Sequence, residues 1–470
     1  MRASRRVTAL ALGLTVVIAA VVLGLFLRSS APGPHWLRDT FDYKPAGGMA
    51  YIGGPDVVGT AALRGVSAAS RDAAWVIGSA PCCTGGEAPR TLAWRWDGAA
   101  WRNVPMPRVS NAYPDLSAVV TVDSRDAWAV GRARTFTVSP SGREWPGHSE
   151  ALIEHWDGSR WSIARTPRHL GASWLDAVSA SGPGSVWAIG GMYGAGHFTQ
   201  LRRLPRLALL LRWNGTTWRP VRVPWARPGV TLTKVVATDS GGVWVVASDD
   251  VGARVEYWNG TRWREIPAPF GRADPPAGFA ATSSSDAWAV GSYALRKGRS
   301  FAGALAAHWN GSEWQIAPVP APAGAYNTWL DDVAAVSPDD VWLSSFSLLK
   351  SGKHGRVNVA VLEHWDGRSW HITSGTPPPI QSARPSLGIG VAPDGTAWAI
   401  GANECDNVVL RWSGDAWQMT PHPADHDWTR VPQSQLSFVH RQYACTPLGS
   451  FPRPGPTLSH GPSGRNGPTG

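Results

Sequence analysis

The chain has 470 residues, 43% of them hydrophobic and 17% charged, enough apolar material for a large core and too much for a disordered chain. Its 39 Pro and 52 Gly argue against a helical bundle and for many short strands and turns. A net charge of +10, carried almost wholly by Arg, favours an anionic partner or surface without naming one.

The first element lies ahead of any fold. Arg2, Arg5 and Arg6 precede 21 uncharged, mostly apolar residues from Val7 to Leu27, long enough to cross a bilayer core as a helix. The arginines predict a cytoplasmic N-terminus and a translocated remainder. Residues 1–30 are therefore read as a transmembrane signal-anchor and 31–60 as a linker. The alternative is a cleaved signal ending near Ser29–Ala31 and a secreted product.

A repeat follows. Seven Asp-Gly, Asn-Gly or Ser-Gly turns begin at Trp96, Trp156, Trp213, Trp258, Trp309, Trp365 and Trp412, each with a second Trp five residues on, at Trp101, Trp161, Trp218, Trp263, Trp314, Trp370 and Trp417. A leading Trp stands upstream of each pair: Trp75, Trp128, Trp187, Trp244, Trp288, Trp342 and Trp398. Nine residues before each leading Trp is an apolar residue, Val66 being the first. In the second unit the predicted strands are 116–122, 128–131, 151–156 and 160–166, separated by the turn at 124–127, a variable loop, and Asp157-Gly158. Turns of the latter type tolerate positive φ and mark hairpins. Four strands in roughly 50 residues, seven times over, predict an all-β, seven-bladed β-propeller of four-stranded antiparallel blades over 61–424. A C-terminal extension (425–445) and a disordered Pro/Gly-rich tail (446–470) follow.

The tryptophans are read as packing residues, stacking across each hairpin and wedging against the next blade. The sequons at Asn214, Asn259 and Asn310 sit where Asp or Ser sits in other units, so Asn serves the turn. His155, His308 and His364 recur in register and are read as wall residues.

In these residues, "DAWAVG" followed by "HWDGxxW", the chain resembles tryptophan-rich propeller repeats of exported actinobacterial proteins, and more distantly the kelch and galactose-oxidase-like propellers. The resemblance spans about 61–423. It implies the fold and no particular activity. The Gly-Gly doublet that ends the second strand of kelch repeats appears only at Gly190-Gly191, and nothing matches the oxidases' copper site.

No phosphate loop, HExxH, G-x-S-x-G or paired CxxC is present. The "HPADHD" run (His422 to Asp427) lies in a Pro-rich segment outside the repeat, and no metal, cofactor or catalytic residue is expected. A propeller hydrolase or lyase would need inward Arg and carboxylate groups on several inner strands, which read as mostly small and apolar.

Binding residues are sought where the repeat is broken. The links between second and third strands share a face with those joining successive blades, and together carry +7 of the chain's +10. Arg202, Arg203, Arg296, Lys297, Lys350 and Lys353 are the candidates there for an anionic polymer or lipid surface. "SWLDAV" and "TWLDDV" place Trp174, Asp176, Trp329 and Asp331 near the mouth of the central channel. A Trp beside a carboxylate suits a sugar, ring against ring face and carboxylate to hydroxyls. Cys82, Cys83, Cys405 and Cys445 fit an oxidising compartment and are placed to clasp blade one to blade seven, although a Cys82–Cys83 with Cys405–Cys445 pairing is equally open.

The resulting expectation is a membrane-anchored, monomeric, extracytoplasmic propeller that binds an anionic or glycan envelope polymer without catalysis. The alternatives are a hydrolase or lyase acting on envelope polysaccharide and a scaffold for a protein partner. Nucleic acid is not an expected partner.

Overall fold

A computed structural model describes residues 62–420 apart from 81–88, 140–143, 195–204, 240, 273–274, 295–301, 352–354, 374–385 and 403–406. The proposed membrane span, the four cysteines, Arg202, Arg203, Arg296, Lys297, Lys353, the side chain of Lys350 and the His422–Asp427 run lie outside the described residues.

Seven four-stranded antiparallel sheets follow one another along the chain, each with its strands in sequence order. They are blade one (62–104), two (112–163), three (173–220), four (231–266), five (278–317), six (325–372) and seven (386–419). The first strands of successive blades touch all the way round, and the first strand of blade seven touches that of blade one. The fold is therefore a closed seven-bladed propeller with the first strand of each blade innermost. Among the described residues no blade borrows a strand from the far end of the chain.

The hairpin between third and fourth strands is the same device in each blade. Asp97, Asp157, Asn214, Asn259, Asn310 and Asp366 each accept, through Oδ1, the amides two and three residues on. The following glycines, with Gly414 in blade seven, hold φ between +88° and +107°, where a Cβ is costly. The three Asn residues are thus turn formers.

The turn brings its flanking tryptophans side by side, and the leading Trp of the preceding blade inserts against both. Trp75 lies 5.0 Å from each of Trp156 and Trp161, edge-on. Trp128, Trp288 and Trp342 meet the pairs of blades three, six and seven in the same way. Each of the seven blade interfaces holds its own apolar cluster with a leading Trp in it. Edge-on rings add about 0.5–1.5 kcal/mol per pair beyond their burial.

In six blades the residue opposite the leading Trp on the third strand packs against the indole. His155, His308 and His364 stack on Trp128, Trp288 and Trp342. Each also shares a hydrogen bond through Nε2 with the Asp of the preceding turn: Asp126 (2.9 Å), Asp286 (2.6 Å) and Asp340 (2.8 Å). Arg212, Tyr257 and Arg411 fill this place in blades three, four and seven. The histidines are wall residues, held by a carboxylate that the sequence pattern alone did not assign.

Blade two departs from the predicted strand lengths. Its strands run Ala112–Asp123, Asp126–Val138, Glu144–Trp156 and Trp161–Ile163. The expected variable loop is instead a hairpin arm, with Arg134 opposite Ser149 and Val138 opposite Glu144. The run "RARTFTV" alternates without an apolar face, so it reads as a loop until a partner strand is seen. Blade six has a similar arm, with Lys350 opposite Arg356.

Candidate functional site

The site follows from a backbone irregularity. In five blades the inner strand carries one extra residue against the second strand: Arg64, Ser117, Asp176, Thr233 and Asp331. Such a bulge bends the strand and re-aims the side chain. It also presses the inner strand onto its neighbour. A Cβ on Gly131 would lie 2.0 Å from the Asp115 carbonyl oxygen, and one on Gly190 2.1 Å from that of Trp174. The final Gly of "WAVG" and the first of the Gly-Gly doublet therefore make room for the bulge. The second, Gly191, makes room for the Trp174 ring, which a Cβ would meet at 2.4 Å.

The bulges lie near the start of the inner strands, on the face shared with the loops between second and third strands. Charged side chains gather there, against the expectation of small and apolar inner strands. Asp115 stands between Arg64 (3.8 Å) and Arg132 (3.3 Å), so Arg132, expected in a loop, pairs with an inner-strand carboxylate. Trp174 donates its indole N–H to Asp176 at 2.9 Å. Burial raises the Asp176 carboxyl, opposed by that hydrogen bond and by Arg132. In blade six, Trp329 stacks on Phe346 with ring centroids 4.8 Å apart and planes 14° apart. Next to it, burial pushes Asp331 up to about 7, with Asp332 adding to the rise and the Leu387 amide and Lys234 opposing it. Asp332 is raised by burial, against Lys234 and the amides of Ile389 and Val333.

Both Trp–Asp pairs lie near the start of an inner strand, within Ser173–Gly182 and Ala325–Ser337. They belong to blades three and six, three steps apart in a ring of seven. Arg64, Asp115, Lys234 and Asp332 were missed. A signal for two of them was available. Ten residues before the leading Trp stands Gly65, Ala118, Ala177, Gly278 or Gly388 in five blades, but Lys234 and Asp332 in the other two. Among the described residues no group of three or more His, Cys, Asp or Glu is arranged to hold a metal ion.

No protein-family model matches the chain, and no curated protein matches it. Solved structures do. A YCF48 bound to a D1 peptide is 15% identical, with a TM-score of 0.42 over 75% of this chain and 93% of that one. A xyloglucanase from Xanthomonas campestris is 18% identical, with a TM-score of 0.45 over 77% of this chain and 54% of that one. The Trypanosoma rangeli sialidase is 14% identical, with a TM-score of 0.35 over 68% and 55%. Binding proteins and glycan-active enzymes both occur among them, and the likeness is one of fold alone.

Proposed function

We propose that the protein is a non-catalytic binding propeller, tethered through 7–27 and facing outside the cytoplasm, whose channel mouth takes a glycan. The observation that carries this is the pair of aromatic–carboxylate sets near the start of two inner strands, Trp174 with Asp176 and Trp329 with Asp331. An aromatic ring offers a flat apolar face to a pyranose, and a carboxylate beside it accepts hydroxyl protons. The basic residues Arg202, Arg203, Arg296, Lys297, Lys350 and Lys353, which the sequence puts between the second and third strands of blades three, five and six, would add a salt-sensitive attraction for an anionic envelope polymer.

The test is a glycan and anionic-polymer binding screen of the full chain in detergent, with Trp174→Ala and Trp329→Ala beside it. Hits lost in both variants support the reading. Hits unchanged in both exclude the mouth. N-terminal sequencing of the membrane fraction tests the tether, which is excluded by a mature chain starting near Pro32 and found in the medium.

One observation favours a second reading, a hydrolase or lyase. Asp331 Oδ2 is buried without a hydrogen-bond partner, on a carboxyl that burial pushes up to about 7, as a general acid or base requires. Turnover of any bound glycan, lost in Asp331→Asn, would select it. Silence in both binding and turnover would leave a scaffold for a protein partner.

A further inference from the structure

Blades three, four and five turn their outer hairpins with Asn-Gly where blades one, two and six use Asp-Gly. The side-chain contacts are alike in all three. Asn214 Oδ1 accepts the amides of Thr216 (3.1 Å) and Thr217 (2.9 Å) and the Thr216 hydroxyl (2.9 Å). Asn259 Oδ1 accepts the amides of Thr261 and Arg262, both at 3.0 Å, and the Thr261 hydroxyl at 2.8 Å. Asn310 Oδ1 accepts the amides of Ser312 and Glu313, both at 3.0 Å, and the Ser312 hydroxyl at 2.8 Å. Three donors converge on each carbonyl oxygen, whereas no partner among the described residues engages Nδ2 or the backbone N–H of the glycine that follows. All three asparagines are exposed.

This arrangement suits an intramolecular reaction. Gly215, Gly260 and Gly311, at φ between +94° and +96°, have no side chain to bar their own nitrogen from the Asn Cγ. Attack forms the N–Cγ bond, and the electron pair displaced onto Oδ1 lies under three hydrogen-bond donors, as an oxyanion requires. The Cγ–Nδ2 bond then breaks, and Nδ2 leaves as ammonia with the proton from the glycine nitrogen. Water opens the cyclic imide. Breaking the new N–Cγ bond leaves Asp, and breaking the original peptide bond leaves isoaspartate. One water enters and one ammonia departs, with no enzyme and no ligand.

The fold discriminates between the two products. Asp97, Asp157 and Asp366 accept the same two amides in blades one, two and six, so an Asp product keeps the turn. Isoaspartate lengthens the backbone between tryptophans held in register, Trp213 opposite Trp218, Trp258 opposite Trp263 and Trp309 opposite Trp314. We propose that Asn214, Asn259 and Asn310 are sites of spontaneous modification, each converting through a cyclic imide to Asp with the turn preserved. Each event adds one negative charge to a sector of three consecutive blades. Because successive strands alternate in direction, these hairpins lie on the face of the ring away from the starts of the inner strands, and the Trp–Asp sets are left unaltered.

The test is peptide mapping of the full chain in detergent after several weeks at body temperature and mildly alkaline pH, with fragmentation that separates Asp from isoaspartate. Conversion is expected at Asn214, Asn259 and Asn310, with Asp the larger product. None is expected at Asn103, Asn111 or Asn327, whose following residues carry a Cβ. Asn466, also followed by Gly, lies outside the described residues and is mapped separately. A synthetic peptide of residues 211–220, with no sheet around it, should yield mostly isoaspartate. The combined variant Asn214→Asp, Asn259→Asp, Asn310→Asp should unfold at the parent's urea midpoint. Intact asparagine at all three positions over the time in which the peptide converts overturns the proposal. So does isoaspartate as the larger product in the folded chain, or a lowered midpoint in the combined variant.

Discussion

The indole of Trp398, in blade seven, meets that of Trp101, in blade one, edge-on, with ring centroids 5.2 Å apart and planes at 69°. Trp96 flanks Trp398 at 5.3 Å, and Trp101 donates its N–H to Thr420 Oγ1 at 2.7 Å. The contact that joins sequence neighbours elsewhere in the ring thus also joins the two ends of the propeller, 323 residues apart where the Arg71 amide reaches Asp394.

Trp398→Ala should therefore open the seam. Large-to-small substitution of a buried aromatic costs about 3–5 kcal/mol, since the cavity collapses only in part. Ile316→Ala, on an exposed side chain, should stay within about 0.5 kcal/mol. Urea unfolding of both variants checks the difference, and equal midpoints would rule out closure by this contact.

Two glutamates should make stability fall as pH rises. Glu154 and Glu363 stand two residues before the third-strand Trp, buried, with Thr91 donating to the first and Ser345 to the second. Burial pushes each up to about 8 from an ordinary 4.5. The folded state then holds protons that the unfolded state has released. Their contribution is fully present below about pH 4.5 and is lost as pH rises through about 8, on the order of 2–4 kcal/mol for each group. Glu154→Gln with Glu363→Gln should flatten that fall in a pH series of unfolding curves.

Gly190→Ala and Gly131→Ala should each cost about 1–3 kcal/mol, the range for overpacking, because the new Cβ has no space beside the bulged strand. Gly184→Ala, with nothing within 4 Å of its Cβ, should be nearly silent. If the bulge aims the mouth, Gly190→Ala should also weaken ligand binding at a temperature where the variant is fully folded.

Reversing the charge of Arg202, Arg203, Arg296, Lys297, Lys350 and Lys353 together should weaken binding to an anionic polymer at low salt and flatten its salt dependence, as screening acts on exposed charges. An unchanged slope between 50 and 200 mM salt (roughly the range over which such contacts are lost) would make these residues a solvated rim.

The blade count and the hairpin turns were legible in the sequence because each rests on short-range rules. A tight turn needs Asp or Asn before Gly, and a two-faced strand needs alternation. Their repetition at one spacing leaves a propeller as the solution. Trp174, Asp176, Trp329 and Asp331 could be assigned to the beginnings of inner strands by register alone. The bulges could not, because an extra residue shows only against its partner strand, and it is the bulge that aims Asp176 and Asp331. The arm in blade two was hidden for the same reason: Arg132 reads as loop charge until Asp115 is seen beside it. Lys234 and Asp332 are nearly a hundred residues apart in the chain, on blades four and six, and only the closed ring lets one charge act on the other. Local chemistry in the sequence thus determined the blade. Burial, bulges and ring closure, which depend on what the rest of the chain brings near, decided which charges are desolvated and what they face.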